Sequence, residues 1–233
     1  MVRRARVVVP GIAHHITQRG NNRQDVFFTN GDRKYYLQLL EKQSGIYGLK
    51  IEGYCLMTNH VHVVGIPENE KSLSKAIGRT HYLYTQYVNY LHGRSGHLWQ
   101  NRFYSCILDE SHYRESLRYL EMNPVHASMV KQPWKYSWSS CSAHIGESPS
   151  SLLDLESWKQ ETDPESWKEY LLEKVSIDQI ERMELNIRTG RPLGSDAFIS
   201  KLETRLNRRL RPLPVGRPKK PASGKTALSD KNE

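Results

Sequence analysis

The feature that most constrains the fold is an apolar, β-branched stretch with two histidines placed one residue apart. Residues 54–66 are mostly apolar and are interrupted by Thr58-Asn59. This composition predicts two strands joined by a tight turn. Because side chains alternate along a strand, His60 and His62 should share one face while the intervening valines take the other. Two neighbouring imidazoles are half of a metal site. The alternative is a pair of surface histidines on a half-buried strand.

The charge distribution points to a polyanionic partner. The chain has 233 residues, enough to bury a core, and a mean hydropathy of −0.69. Its net charge of +9 divides into +7 over residues 1–150, −6 over residues 151–185 and +8 over residues 186–233. Two basic blocks favour nucleic acid as a partner. A soluble protein that is merely basic is the alternative interpretation.

Membrane insertion and disulfide bonding are not expected. No apolar run approaches the roughly 20 residues that span a bilayer. Cys55, Cys106 and Cys141 lie far apart and form neither a disulfide framework nor a zinc knuckle. We therefore expect a reduced, cytoplasmic protein with no membrane partner.

Hydrophobic periodicity predicts an α+β fold in which helices pack on an antiparallel sheet. The predicted strands cover residues 13–19, 49–57, 60–66 and 99–108. The predicted helices cover residues 31–47, a segment from Ser72, a segment from Ser111 to Asn123-Pro124, and residues 134–144. The third helix should stop at Pro124 because the residue before a proline avoids helical geometry.

Three regions are predicted along the chain. Residues 1–146 form one domain, and residues 147–211 form a helical C-terminal extension that is first acidic and then basic. Ser195 is expected to cap a helix of this extension. Residues 212–233 are expected to be a disordered basic tail.

The third predicted helix carries a tyrosine away from its core face. The apolar stripe of this helix consists of Tyr113, Leu117 and Leu120. At the helical repeat, Tyr119 lies roughly 110° from that stripe. It shares its own line with Glu115 and Asn123, one turn to either side. This placement is unusual for a packing residue and suits a phenol directed at a site, with an amide beside it that can bind a metal.

Several basic and polar side chains are candidates for DNA contacts. They are Arg3, Arg4 and Arg6 in an N-terminal arm, His15 and Arg19 on one strand face, Arg79 on the second helix, and Arg102 in the last strand. For the strand residues the alternative is ordinary solvated polarity. Around Arg79, core packing explains most of the neighbouring tyrosines.

Three motifs together resemble a known family. They are Asn59-His60-Val61-His62, His97-Leu98-Trp99-Gln100-Asn101-Arg102-Phe103 and Tyr119-Leu120-Glu121-Met122-Asn123-Pro124-Val125. In this order and spacing they resemble the single-tyrosine HUH transposases (IS200-like), most closely the REP-associated tyrosine transposases of bacteria. The likeness runs from about Ala5 to His144.

The resemblance implies a ferredoxin-like HUH nuclease, monomeric or homodimeric, that nicks and rejoins single-stranded hairpin DNA through a 5′-phosphotyrosine. It implies that Tyr119 is the nucleophile. It also implies that His60, His62 and Asn123 bind a divalent metal, Mg²⁺ or Mn²⁺. A protein of this kind is expected to associate with the nucleoid and, since the phosphotyrosine conserves the bond energy, to need no nucleotide cofactor.

The chain departs from the family pattern at two places. Thr58 stands where a proline is usual, which should alter only the rigidity of the turn. His126-Ala127-Ser128 stands where Arg-Ala-Gly is common, which puts a local DNA or turn contact in question. Four alternatives remain open: a zinc metallohydrolase without a third ligand in the same segment, a non-catalytic DNA-binding regulator, a replication initiator or relaxase, and a protein that binds RNA.

Overall fold

A four-stranded antiparallel sheet forms the centre of the protein, whose computed structural model describes residues 6–212 and Gly216. The strands are β1 (His14–Arg19), β2 (Leu49–Met57), β3 (His60–Pro67) and β4 (Tyr104–Ile107). Their order is β2-β3-β1-β4, and every neighbouring pair is antiparallel. The predicted α+β architecture and the β2–β3 hairpin are confirmed.

Two helices cover one face of the sheet. They are α1 (Asn30–Tyr47), which begins with a capping box at Thr29, and α2 (Ser72–Leu91). Their buried side chains meet those of the sheet in one apolar core, which includes Ile16, Tyr36, Leu40, Leu56, Val61, Val63, Ile77 and Tyr84. The valines next to the two histidines therefore anchor β3 on this side, as the alternation along the strand predicts.

The opposite face of the sheet carries α3 (Glu110–His126). Leu117 and Leu120 are fully buried against the sheet. The prediction that this helix stops at Asn123-Pro124 is wrong, because the helix continues to His126. Pro124 has no N–H to donate to the carbonyl four residues earlier, but the Ala127 N–H still bonds to the Asn123 carbonyl at 2.9 Å. The helix therefore continues for part of a turn beyond the proline.

The last strand is shorter than the predicted range of residues 99–108. Asn101 has a φ of 60°, which lies in the left-handed region and cannot continue an extended strand. Trp99 forms only an isolated bridge with Gly20. Regular pairing therefore begins at Tyr104.

The predicted helix over residues 134–144 is also wrong in its extent. The segment contains a 3-10 turn, Pro133–Lys135, and a short helix, α4 (Cys141–His144). Between them the chain runs beside β2, where the Leu56 N–H donates to the Trp138 carbonyl at 2.8 Å. Because β2 lies at the sheet edge, its outer backbone groups need such partners.

The C-terminal extension packs on the α3 side of the sheet. It contains α5 (Leu155–Glu161), α6 (Pro164–Leu172), α7 (Ile177–Thr189) and α8 (Asp196–Leu206). The Ser195 side chain accepts a hydrogen bond from the Phe198 N–H, which confirms the predicted cap. Trp158 and Trp167 are buried in the same apolar core as the leucines of α3.

A buried carboxylate links α3 to the extension. Glu121 Oε1 accepts hydrogen bonds from Ser140 Oγ at 2.5 Å and from His144 Nδ1 at 2.6 Å. Its Oε2 accepts from Trp167 Nε1 at 2.9 Å. Because Glu121 is completely buried, all three donors are needed to satisfy it.

Two further expectations concern the chain as a whole. The three cysteines are free and buried. The part of the chain that the structure describes contains no helix long and apolar enough to cross a membrane. Arg3, Arg4 and all of the predicted tail except Pro212 and Gly216 lie outside the described residues.

Candidate active site

Strand β3 presents His60 and His62 on the sheet face that α3 covers. Across the sheet, His60 pairs with Arg19 and His62 pairs with Thr17. The two imidazole centroids are 5.0 Å apart. His62 is buried and His60 is partly exposed. The shared face predicted from the His-Val-His alternation is therefore present.

The orientation of His62 is fixed by a chain of buried hydrogen bonds. His62 Nδ1 lies 2.8 Å from His15 Nε2, and His15 Nδ1 lies 2.6 Å from Ser116 Oγ. If the ring proton of His62 is on Nδ1, that N–H donates a hydrogen bond to His15 Nε2. His15 Nδ1 then donates a hydrogen bond to the Ser116 hydroxyl on α3. The Nε2 atom of His62 is then left with a lone pair.

His60 is oriented by its neighbour in sequence. Its Nδ1 donates to Asn59 Oδ1 at 2.7 Å. Within the described residues, neither His60 Nε2 nor His62 Nε2 has a hydrogen-bond partner. Both histidines thus have the same arrangement, with Nδ1 bonded and Nε2 free, which is typical of metal-binding imidazoles.

Burial keeps these imidazoles neutral. It lowers the pKa of His60 to about 4, with a further contribution from the positive charge of Arg19. Burial also lowers the pKa of His62 well below its usual value, assisted by His60, His15 and Arg19. The pKa of His15 falls to about 3 for the same reason. A neutral imidazole is the form that binds a metal ion.

Helix α3 places Tyr119 directly against the histidines. Its ring centroid lies 5.7 Å from that of His62 and 6.0 Å from that of His15. The phenolic hydroxyl donates to Glu184 Oε1 on α7 at 3.2 Å. Burial and the charge of Glu184 raise the pKa of Tyr119 above the ordinary value for tyrosine.

Asn123 lies one turn after Tyr119 and is partly buried. Its Nδ2 donates to the Tyr119 carbonyl at 2.9 Å. This bond fixes which end of the amide is the donor and leaves Oδ1 as the atom available to a ligand.

One cleft of about 1070 Å³ brings these groups together. Its lining includes His60, His62, Tyr119 and Asn123, with Arg19 and Thr17 from β1. Helix α7 forms the opposite wall with Asp178, Glu181, Glu184 and Arg188. The four residues proposed for chemistry, which come from two separate parts of the sequence, therefore share one solvent-accessible space.

The predicted DNA contacts fall in different places. Arg19 lines the cleft and is exposed. His15 is completely buried, and its side chain supports His62 from behind. Arg6 and Arg102 line a second cleft nearby. Arg79 stacks over Tyr82 on α2, with its guanidinium carbon 5.1 Å from the ring centroid.

Sequence reasoning missed two residues at this site. Ser116 lies on α3 one turn before Tyr119, and its link to His15 requires knowing which face of the sheet α3 covers. Glu184 lies 65 residues from Tyr119 in sequence. Its segment is recognisable as an acidic helix, but no local signal places it over the cleft.

Comparison with known families bears on these residues directly. The sequence model of the family described as "Transposase IS200 like" matches residues 8–123, from just before β1 to Asn123. The chain belongs to the IS200-like transposase family. The match includes both histidines of β3, Tyr119 and Asn123, and the family is one of DNA-cleaving enzymes.

A solved structure shares the fold of this IS200-like transposase. A REP-associated tyrosine transposase bound to a REP hairpin has 17% sequence identity and a TM-score of 0.54, covering 66% of this chain and 98% of that one. A transposase candidate from Deinococcus radiodurans R1 has 16% identity and a TM-score of 0.37, covering 52% and 96%. No curated protein sequence matches significantly.

The donor atoms of this transposase fit the divalent cation that the family generally uses. His60 Nε2 and His62 Nε2 are free and neutral, and Asn123 Oδ1 adds a hard oxygen donor. In the described part of the chain, no group of three or more histidine, cysteine or acidic side chains is arranged for a metal. Two imidazoles and an amide would leave coordination positions open for phosphate and water.

Proposed function

We propose that this IS200-like transposase is a metal-dependent endonuclease and strand transferase that acts on single-stranded hairpin DNA through a 5′-phosphotyrosine. The observation that carries this proposal is the position of Tyr119, 5.7 Å from His62 between ring centroids, in the cleft that also contains His60 and Asn123. Helix packing alone does not require a phenol beside two neutral imidazoles.

The chemistry follows from these atoms. The phenolic oxygen of Tyr119 attacks the scissile phosphorus, and a new oxygen–phosphorus bond forms as the bond to the 3′-oxygen breaks. The phenol loses its proton, and the departing 3′-oxygen gains one to become a free hydroxyl. The 5′-phosphate stays on the tyrosine, which keeps the energy of the phosphodiester for rejoining. A divalent ion held by His60, His62 and Asn123 would supply the positive charge that neutralises the phosphate oxygens and stabilises the leaving oxygen.

The protein groups divide the remaining tasks. His60, His62 and Asn123 would bind the ion, most simply Mg²⁺ or Mn²⁺, while His15 and Ser116 hold His62 in place. Arg19 is exposed in the cleft beside His60 and supplies a positive charge for the phosphate backbone. Its guanidinium is therefore the first candidate for a direct DNA contact.

Hairpin DNA is the proposed substrate because the structurally similar transposase is bound to a REP hairpin. The basic blocks of the sequence are consistent with such a ligand. Tyr119 and the proposed metal ligands line one cleft of a single chain, an arrangement that either a monomer or a homodimer can use. The nucleoid, where such DNA is found, is the proposed location of the protein.

Covalent capture tests this proposal. The protein is incubated with Mn²⁺ or Mg²⁺ and a labelled single-stranded hairpin from the repeats that flank its gene. A protein–DNA adduct that survives denaturation is expected, attached through the 5′-phosphate, with a free 3′-hydroxyl on the released fragment. Tyr119→Phe removes one oxygen and should eliminate the adduct, with hairpin affinity retained.

Tyr104→Phe is the matched control because Tyr104 lines the same cleft and is exposed. This variant should form the adduct at the wild-type level. An adduct that persists in Tyr119→Phe and maps to Tyr104 would show that the nucleophile is the other tyrosine. No adduct with any flanking hairpin would favour a protein that only binds DNA.

A further inference from the structure

A second cleft, of about 680 Å³, opens beside the candidate active site and is strongly basic. We call it the basic cleft. Five arginines line it: Arg6, Arg102, Arg191, Arg208 and Arg209. The other lining residues are neutral, and none of them is an aspartate or glutamate. Four separate segments of the chain thus bring five positive charges to one concave surface.

These charges are not neutralised within the described protein. None of the five guanidinium groups forms an ion pair with a described carboxylate, although the adjacent Arg211 is paired with Glu203 and Asp196. The nearby acidic side chains are therefore already engaged. Collecting like charges around a cleft is unfavourable unless an anion occupies it.

Arg6 shows the electrostatic cost of gathering positive charges in the basic cleft. Its guanidinium carbon lies 3.5 Å from the centroid of the Phe103 ring, and its Nη2 donates to the Phe103 carbonyl at 2.7 Å. Burial and the positive charge of Arg102 lower the pKa of Arg6 to about 10. The protein therefore holds Arg6 in place despite the repulsion from its neighbour.

The C-terminal extension forms one wall of the basic cleft, and backbone hydrogen bonds hold that wall in place. The Leu193 N–H donates to the Ile107 carbonyl at 2.8 Å, and the Asp109 N–H donates to the Leu193 carbonyl at 3.0 Å. These bonds lie at the C-terminal end of β4 and hold Arg191 close to the sheet edge. Glu203 accepts from the backbone of Leu210 and so fixes the turn after α8 that carries Arg208 and Arg209.

Tyr104 connects the basic cleft to the candidate active site. It lines both clefts and is 43% exposed. Tyr104 pairs with Thr17, which pairs with His62 on the next strand. With neighbouring strands about 4.8 Å apart, the Tyr104 backbone lies about 10 Å from that of His62. A strand leaving the active site over Tyr104 would enter the basic cleft.

We propose that the basic cleft binds the single-stranded DNA that adjoins the cleavage site, with phosphates on the arginines and a base stacked on Tyr104. This inference rests on the proposed function, since it takes DNA in the active site as its starting point. A concave arginine-rich groove with an exposed aromatic ring suits single strands, whose bases are free to stack. In a duplex the bases are paired and stacked on each other, so their faces are not available to the Tyr104 ring.

The test measures binding without requiring cleavage. The probes are a labelled oligothymidine of about 12 nucleotides and a duplex of the same length, titrated by fluorescence anisotropy at several salt concentrations. The test variant is Arg191→Gln/Arg208→Gln/Arg209→Gln in the full chain. We expect it to bind oligothymidine at least tenfold more weakly. The slope of log affinity against log salt should fall by about 0.7 for each phosphate that the variant no longer neutralises.

The matched control is Lys34→Gln/Lys42→Gln/Lys159→Gln, which removes the same charge from exposed positions outside both clefts. It should bind oligothymidine almost as the wild type does. Tyr104→Ala should weaken oligothymidine binding by roughly tenfold, and Tyr104→Phe should not, because stacking needs only the ring. Thermal melting confirms that every variant is folded.

Three results would overturn the proposal: an unchanged salt slope in the arginine variant, an equal reduction of affinity in the lysine control, or a reduction confined to the duplex. The proposed function fails separately, through the absence of a Tyr119 adduct. The arginine variant keeps Tyr119 and the histidines. It should therefore still form the adduct on hairpins with minimal flanks.

Discussion

His15 is the residue on which the chemistry of His62 depends most directly. Its imidazole is completely buried between His62 and Ser116 and reaches no solvent. A neutral histidine in this position can accept a hydrogen bond from His62 through one ring nitrogen and donate one to Ser116 through the other. His62 Nε2 is thereby directed into the cleft, where we propose it as a metal ligand.

We expect His15→Ala to weaken the binding of Mn²⁺ by roughly 10- to 100-fold, the usual effect of removing the partner that orients a ligand. Isothermal titration or electron paramagnetic resonance of bound Mn²⁺ measures this affinity. His14→Ala is the control, because His14 is equally buried but bonds to Ile12 and Val9. Wild-type Mn²⁺ affinity in His15→Ala would contradict this role.

Glu184 acts on Tyr119, the proposed nucleophile, through its charge. A carboxylate that accepts from the phenol of Tyr119 favours the protonated form, and burial acts in the same direction. Because the pKa of Tyr119 is raised, the phenolate is scarce at neutral pH and becomes more abundant as the pH rises. Below that pKa, the phenolate fraction grows about tenfold per pH unit.

We therefore expect adduct formation to accelerate with pH in the wild type. Glu184→Gln should lower the pKa of Tyr119 and increase the single-turnover rate several-fold between about pH 7 and 8, since removing a nearby charge shifts a pKa by roughly a unit. The control is Glu181→Gln, which changes the same cleft wall. A slower reaction in Glu184→Gln at every pH would instead identify Glu184 as the group that takes up the phenol proton.

The features of strands and helices that follow from a local sequence pattern were predictable. The His-Val-His alternation predicts the facing of β3, and the helical spacing around Tyr119 predicts that this residue lies off the apolar stripe of α3. The end of α3 and the start of β4 were misplaced because they depend on single backbone conformations. Asn101 takes a left-handed φ that its residue type permits but does not require.

Long-range placement was not predictable from local patterns. The helix that contains Glu184 is recognisable by its composition, but its position over the cleft depends on the packing of the extension against α3. Trp158 and Trp167 decide that packing through contacts with residues far away in the sequence. The sequence shows that these side chains are large and apolar, and does not show which surface they cover.

The Glu121 carboxylate should be a large contributor to the attachment of the extension. Glu121→Gln replaces an acceptor oxygen with an amide donor facing Ser140, His144 or Trp167. We expect a decrease of about 1–3 kcal/mol in the free energy of unfolding, the cost of a buried group without a partner. Urea denaturation measures it. Glu169→Gln, on the exposed side of α6, should change stability by less than about 0.5 kcal/mol.

In the protein as a whole, the C-terminal extension shares an apolar core with the sheet and α3. Trp167 is completely buried against α3, and Trp158 stacks on His144 with ring centroids 4.1 Å apart. Leu193 also pairs with β4 at the sheet edge. The boundary predicted at residue 147 therefore divides segments that are packed together.

We expect a chain that ends at residue 146 to fold poorly. Removal of two buried tryptophans, each worth about 3–5 kcal/mol, would take away a large part of the roughly 5–15 kcal/mol that stabilises a typical domain. A chain that ends at residue 212 keeps all of this packing and should melt like the full-length protein. Differential scanning calorimetry of the two truncations tests this, and a cooperative native-like transition in the shorter one would contradict it.

The alternation of β3 has a consequence for how this protein can change over evolutionary time. Both histidines face α3 only because the number of residues between the turn and each of them has the correct parity. Inserting one residue between the Thr58-Asn59 turn and His60 would rotate both imidazoles into the apolar core beneath α1 and α2. Loops elsewhere can gain or lose single residues gradually. Between the turn and the histidines, the number of residues can change only by an even number if both imidazoles are to keep facing α3.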